Sequence, residues 1–422
     1  MKLSTRFLRA SAVALAFCAC GRSDAQNTIA NYAVQNAAGG NAVCRFEPKA
    51  ERDALMTAGL TLDKQRFVRV ANAFIDCVDK AMRTHSANAR GANTEAVQEA
   101  KKFIAAFLDD PFKEMPVEFR EFADEVGLRN VRAGWAVLSV GDVEFDFRNG
   151  SPEPKCIPEM AVAIAANIDL EKVVAFLKRK MAEDKTNDAA VEEKQLAGER
   201  VWQIVPTTEA AVKKAAAMKL SPCFTSLDGQ LVLLASTTAA LEKQVLLYRK
   251  GTGEGRLLRD FRPANGDLVC LGVKDIGAFV KKCLPNPEEQ MAPIKAVIPN
   301  GDKIFLGLGD ATVRLSETPA GNISFSLKVA AASAEDADTL RSLLKMMVMM
   351  GSAQLGQNPD VPRQFVESLQ RWKIGGTGTM IEASHDDVLS MVAGIVNFAL
   401  QSQTPGKSTR KAPVRRDLDG LD

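Results

Sequence analysis

Histidine, tyrosine and tryptophan are nearly missing from this 422-residue chain, which holds two, two and three of them. So few imidazoles weigh against a His-dense metal centre, and so few large rings weigh against an aromatic platform for sugars. Gly-x-Ser-x-Gly and His-Glu-x-x-His are absent, which removes the commonest hydrolase and zinc-protease signatures. No Cys-x-x-Cys pair occurs, so redox and structural-zinc readings lack support. No segment sustains the roughly 18 uncharged apolar residues of a membrane-spanning helix. A strong charge of either sign is missing too, with 54 Lys and Arg against 52 Asp and Glu.

What is present describes a folded protein: 46% of residues are apolar and 25% charged, and the length suits two or three domains. Residues 1–25 read as an export signal. Lys2, Arg6 and Arg9 precede the apolar run Ala10 to Ala19, and Ser23-Asp24-Ala25 offers a small-x-small cleavage site. A second reading makes Cys20, in Phe17-Cys18-Ala19-Cys20-Gly21, the lipidated N-terminus of a bacterial lipoprotein. Both readings place the chain in the periplasm or outside the cell. Removing four basic residues and one Asp with the leader turns the net charge of +2 into −1. The Pro-, Ser- and Arg-rich tail 403–422 carries five basic residues and three Asp, so the remainder is near −3. That sign argues against nucleic acid. The tail has no hydrophobic periodicity and reads as a disordered extension.

Two of the eight cysteines fall in the leader, leaving Cys44, Cys77, Cys156, Cys223, Cys270 and Cys283. In an oxidising compartment these allow up to three disulfides. Cys270 and Cys283, on a strand and the helix after it, are one expected pair.

Periodicity predicts an α+β fold. A helical N-terminal region (26–128) carries stripes at Phe67, Val70, Phe74, Cys77, Val78 and at Val97, Ala100, Ile104, Phe107. Two hairpin-rich, mostly antiparallel sheet modules covered by helices follow, at 129–262 and 263–402. In the first, Trp135–Val140, Met160–Ile168, Val201–Val205 and the hairpin 223–235 around Asp228-Gly229 read as strands. In the second, 268–273, 304–308, 313–315, 323–329 and 373–383 do, and Ser333 with Asp336 forms a capping box. Met160–Ile168 is apolar except for Asn167, whereas Ile323, Phe325, Leu327 and Val329 alternate with polar residues, so only the second strand should face a core on one side alone. Two echoes, strand-Asp169-helix with strand-Asp275-helix and Ala235-Ser236 with Ala383-Ser384, raise a diverged duplication as an expectation.

Candidate chemistry is sparse. Ser384-His385-Asp386-Asp387 holds the letters of a hydrolase triad, but contiguous residues cannot converge on one atom, so Ser384 reads as a helix cap. His85 reads as part of a polar loop. The glycine-rich stretches, Gly251 to Gly255 among them, do not precede helices as phosphate loops do. Asp142, Glu144 and Asp146 alternate with Val143, Phe145 and Phe147, placing three carboxylates on one strand face as a candidate cation site. Met346, Met347, Met349 and Met350 make the most unusual run. They predict core filler at a buried helix end, with an apolar ligand or partner groove and a Cu(I) site as the other readings. No catalytic residue, cofactor or resident metal is assigned. The expectation is an exported, non-catalytic binding or envelope-associated protein engaging an apolar ligand or a protein partner. The alternative is a carboxylate-dependent secreted hydrolase, because carboxylates can converge from distant strands without a local motif.

Overall fold

A computed structural model of the chain describes residues 44–402 apart from 86–101, 103–115, 129–130, 132, 148–152, 185–187, 285, 299, 320, 359–360 and 362. The leader with Cys20, the stripe Val97 to Phe107 and the tail 403–422 lie outside the described residues.

In chain order the strands are β1 (Met56–Thr61), β2 (Ala133–Val140), β3 (Phe145–Asp146), β4 (Glu153–Pro154), β5 (Met160–Ala166), β6 (Ala189–Leu196) and β7 (Glu199–Pro206). Then come β8 (Cys223–Leu227), β9 (Leu231–Ala235), β10 (Asp267–Val273), β11 (Ala311–Glu317), β12 (Ile323–Ala330), β13 (Lys373–Gly375) and β14 (Met380–His385). The helices are α1 (Lys64–His85), α2 (Val117–Glu125), α3 (Leu170–Glu183), α4 (Glu209–Ala217), α5 (Thr238–Lys250) and α6 (Ile276–Cys283). They continue as α7 (Pro287–Gln290), α8 (Ala292–Val297), α9 (Gly301–Leu306), α10 (Ala334–Gln357), α11 (Arg363–Gln370) and α12 (Val388–Ser402). The fold is mixed α+β. Twelve strands form one antiparallel sheet in the order β13-β14-β12-β11-β10-β1-β2-β5-β9-β8-β7-β6, so a single sheet runs through both predicted modules.

The join is β1, which lies between β2 and β10 in the middle of the sheet. This corrects the expectation of a purely helical N-terminal region. Six residues are too few for a period, and long-range pairing decides their state. Gly59 is required there, since a Cβ would come within 2.6 Å of the Phe261 ring.

Alternation along β5 and β9 sorts residues onto two cores. Ala161, Ala163, Leu231, Leu233 and Ala235 face α5 and pack with Leu241, Val245 and Tyr248. Ile164, Ala166 and Val232 face the other way, onto Ala123 of α2 and Leu170, Val174 and Phe176 of α3. A strand buried on both faces has no polar alternation, which explains the continuous runs of β5 and β9. In the other half only the face continuous with α3 is apolar. Its register row Val273, Ala311, Val329, Ile381 packs with Ile304 of α9 and Ala337 and Leu340 of α10. On the opposite face the row Gly272, Thr312, Lys328, Glu382 is polar.

The caps at Asp169, Asp275 and Ser333 form as predicted, each side chain accepting a helix N–H. At Asp228-Gly229 both residues have positive φ, as the hairpin turn demands. Other expectations fail locally. Ile304–Leu306 closes the helix α9 and Gly307-Leu308 follow outside any strand, because a short apolar run fits either period. Residues 373–383 split into β13 and β14 around Gly376 (φ 113°), where a Cβ would clash with the Met380 carbonyl. Neither β6, whose Glu-Glu-Lys-Gln sequence suits an edge strand, nor α4 is foreseen. Gly251 caps α5 at φ 67°, and the Gly255 N–H donates to the Ala50 carbonyl at 2.7 Å, so this stretch is an ordered contact with the strap 44–55. All six described cysteines are free thiols, Cys270 and Cys283 included. Burial pushes the Cys223 thiol up to about 12. The duplication is not seen: β5 to β9 lie in the order β5-β9-β8-β7-β6, but β10 to β14 in the order β10-β11-β12-β14-β13.

Candidate functional site

Helix α10 carries the methionine run, and its inner side is well fixed. Ala337 and Leu340 enter the core. The buried Arg341 guanidinium donates to the Met380 carbonyl at 2.6 Å and to Asp338 at 2.6 Å, tying the helix to β14. The outer side is bare. Met346, Met347, Met349 and Met350 are 46%, 65%, 68% and 52% exposed, so they are not core filler. At 100° per residue Met346, Met349 and Met350 lie on the side away from Leu344 and Ser352, while Met347 falls about 20° from Leu340, at the edge of the packed side. The adjoining concavity is lined by Glu335, Asp338, Thr339, Ser342, Leu343 and Met346, all from this one helix. It is therefore a shallow surface and not an enclosed groove.

The acidic alternation does not form a shared face. Only Phe145–Asp146 is strand, paired with Glu153–Pro154, and Asp142 and Glu144 lie in the irregular segment before it. Asp142 meets the Lys282 ammonium at 2.5 and 2.7 Å, and Glu144 meets Lys155 at 3.5 Å. Each of these two carboxylates is answered by a lysine.

His385 and Ser384 belong to β14, which corrects the reading of Ser384 as a helix cap; Asp387 caps instead, accepting from the Ser390 N–H at 3.1 Å. His385 is fully buried. Its Nδ1 accepts the Asp387 N–H at 3.1 Å and its Nε2 lies 2.8 Å from the Ser368 carbonyl, which assigns the proton to Nε2. Nε2 holds β14 to α11 while Nδ1 braces the turn into α12, and among the described residues no carboxylate hydrogen-bonds the ring as in a triad. His85 is the last residue of α1 rather than part of a loop.

The structure also assembles a site that no local motif announces. Where β2 ends, β5 begins and α5 starts, Glu51, Asp53, Ser139, Gly141, Asp142, Glu159, Met160, Ala161, Ala240 and Lys243 line a cavity of about 230 Å³. The strap 44–55 brings Glu51 and Asp53, fixed by the Arg52 N–H on the Gly253 carbonyl (2.6 Å) and the Leu55 N–H on that of Val140 (2.8 Å). Glu51 accepts a hydrogen bond from Gln244, and burial pushes its carboxyl above the ordinary range. Glu159 accepts from Lys243 at 2.9 Å, an interaction that raises the lysine. Lys274 stands 3.8 Å from Asp53. Among the described residues no three His, Cys, Asp or Glu side chains converge closely enough to hold a metal ion.

Comparison with protein-family models, curated proteins and solved structures finds no match to this chain. No described helix is long and apolar enough to cross a membrane. Function is therefore argued from these surfaces alone.

Proposed function

We propose that this chain is an exported binding protein that engages a protein partner through the methionine face of α10. The observation that carries the reading is the exposure of four neighbouring methionines on a helix whose other side is firmly packed. Leaving that much apolar surface in water costs free energy that a polar outer face would avoid. Unbranched thioether side chains adapt to differing contact surfaces, which suits a docking face. A small apolar ligand fits poorly, because such ligands need walls around most of their surface and this concavity has one. The export signal read in residues 1–25 supports an activity outside the cytoplasm, in free or Cys20-anchored form. The carboxylate-dependent hydrolase is the weaker reading, because lysines stand against Asp142 and Glu159 in the one cleft where carboxylates gather among the described residues.

Photo-crosslinking from position 349 in the protein's own host tests this. A discrete adduct is expected there, lost in the Met346→Glu/Met350→Glu variant. None is expected from position 212, an isolated exposed apolar residue of α4. No adduct at 349, or an equal one at 212, removes the reading.

A further inference from the structure

The strap cleft holds one polar group that its ion pairs leave unanswered. Ser139 is 3% exposed, and its hydroxyl has no hydrogen-bond partner. It stands directly across from Ala161 on the face beneath α5, so it forms the floor of the cavity whose wall is Ala240. A buried hydroxyl is ordinarily paired, so an unpaired one lining a cavity marks a place for a ligand atom. Four carboxylates, Glu51, Asp53, Asp142 and Glu159, line the same cavity with Lys243, and Lys274 and Lys282 reach Asp53 and Asp142 from outside it, so Glu51 alone is left without an ion-pair partner. Glu51 meets only the neutral amide of Gln244. These acids are not there to cap α5: the Ala240 and Thr238 N–H groups donate to Thr237 and Ser221 hydroxyls at 3.1 and 3.3 Å.

Size and spacing select the kind of cation. The volume of about 230 Å³ equals several waters at roughly 30 Å³ each, far more than a bare ion fills. The carboxylates do not converge as metal ligands do. Met160, Ala161 and Ala240 add an apolar wall. We propose that this cleft binds a primary alkylammonium group, whose N–H bonds donate to Glu51, Glu159 and the Ser139 hydroxyl while its short carbon chain lies on Met160, Ala161 and Ala240. Lys243, already seated on Glu159, acts as a tethered competitor for the incoming ammonium.

Calorimetric titration of the purified protein at low ionic strength tests this with 1,4-diaminobutane and N-acetyl-lysine N-methylamide. The expected result is one amine per chain, weakened about tenfold or more by Glu51→Gln and by Ser139→Ala, as lost charge-assisted bonds require. Lys243→Met should tighten binding, a sign that a merely acidic surface would not produce. Glu159→Gln, on the exposed rim, serves as a second weakening variant whose folding is not at stake, and thermal melts verify the others. Tighter binding of the diamine assigns a free amine; tighter binding of the capped lysine assigns a polypeptide side chain. Absence of saturable binding to both the native protein and Lys243→Met overturns the proposal. So does binding that survives Glu51→Gln, or equal binding of 1-butanol or Mg²⁺. Thr57, whose hydroxyl is also unpartnered, faces Ser139 across β1 and β2. If the two hydroxyls simply turn to each other, Ser139→Ala leaves amine binding unchanged, and that result also counts against the site.

Discussion

The two halves of the twelve-stranded sheet solve the burial problem differently. From β2 to β8 the sheet is covered on both faces, by α5 and the strap on one and by α2 and α3 on the other. From β11 to β13 it is covered on one face, and the opposite face presents Thr312, Arg314, Ser326, Lys328 and Glu382. The doubly covered half contains Leu227, Leu231, Leu233, Leu241 and Phe261 at 0% exposure, whereas in the cluster of the singly covered half only the small Ala337 lies below 4%. The difference teaches where function has room. A half that is stabilised from both sides opens at the strap cleft, and the half with one helical layer leaves the outer side of that layer, the methionine face, free for contact.

The largest test of this comparison is a matched pair of core truncations. Leu233→Ala, between α5 and its neighbours, should destabilise by about 3–5 kcal/mol through lost burial plus an uncollapsed cavity. Leu344→Ala, half-buried under α10, should cost about 1–2 kcal/mol. Urea unfolding with unchanged m-values measures both. Equal losses would show that the second core is as tightly filled as the first.

Two carboxylates extend the comparison to pH, with opposite signs. Glu317 of β11 accepts from Arg69 at 2.8 and 3.0 Å, with Arg66 3.3 Å away, and the Arg69 hydrogen bond holds its carboxyl below the ordinary range. Its contribution is present above the ordinary Glu value of about 4.3 and is lost as pH falls through its lowered pKa. Glu317→Gln should therefore cost about 1 kcal/mol at neutral pH, reduced by the exposure of Arg69, and nothing in strong acid. Glu51 behaves in reverse. Its raised carboxyl favours the folded state only while protonated, so its contribution is full below about 4.3 and lost as pH rises through the raised pKa. Glu51→Gln should be neutral in acid and equal or stabilising at pH 7. Thermal melts from pH 3 to 8 measure both slopes, and slopes of the same sign would break the contrast.

Local features of the fold were legible where one short-range cause decides them. The Asp and Ser caps, the Asp228-Gly229 hairpin and the contrast between the continuous run of β5 and the alternating run of β12 are of this kind. Elements decided at long range were not. β1 is six residues whose state is fixed by partners about 80 and 210 positions away in sequence, and α9 fits either period. The candidate sites divide in the same way. The methionine run was visible, but its exposure depends on which side of α10 the sheet occupies. Glu51, Ser139 and Glu159 carry no shared spacing, because three separate segments bring them together. Only the general expectation that carboxylates converge without a motif pointed toward such a cleft.

The smallest expected effect is the one that bears most on function. If the methionine face exists for contact with another molecule, it contributes little to folding, because side chains 65% and 68% exposed in the folded chain lose little water contact on folding. Met347→Lys and Met349→Lys should each change stability by less than about 0.5 kcal/mol, since neither breaks a cap, a core contact or a buried hydrogen bond. Met347→Lys should also abolish the adduct formed from position 349, because an ammonium facing an apolar partner is left without water or counter-charge. A cost near 2 kcal/mol in the isolated protein would mean that the face is covered by part of the chain itself. The comparison of the two halves would then lose its second term, since both would be closed.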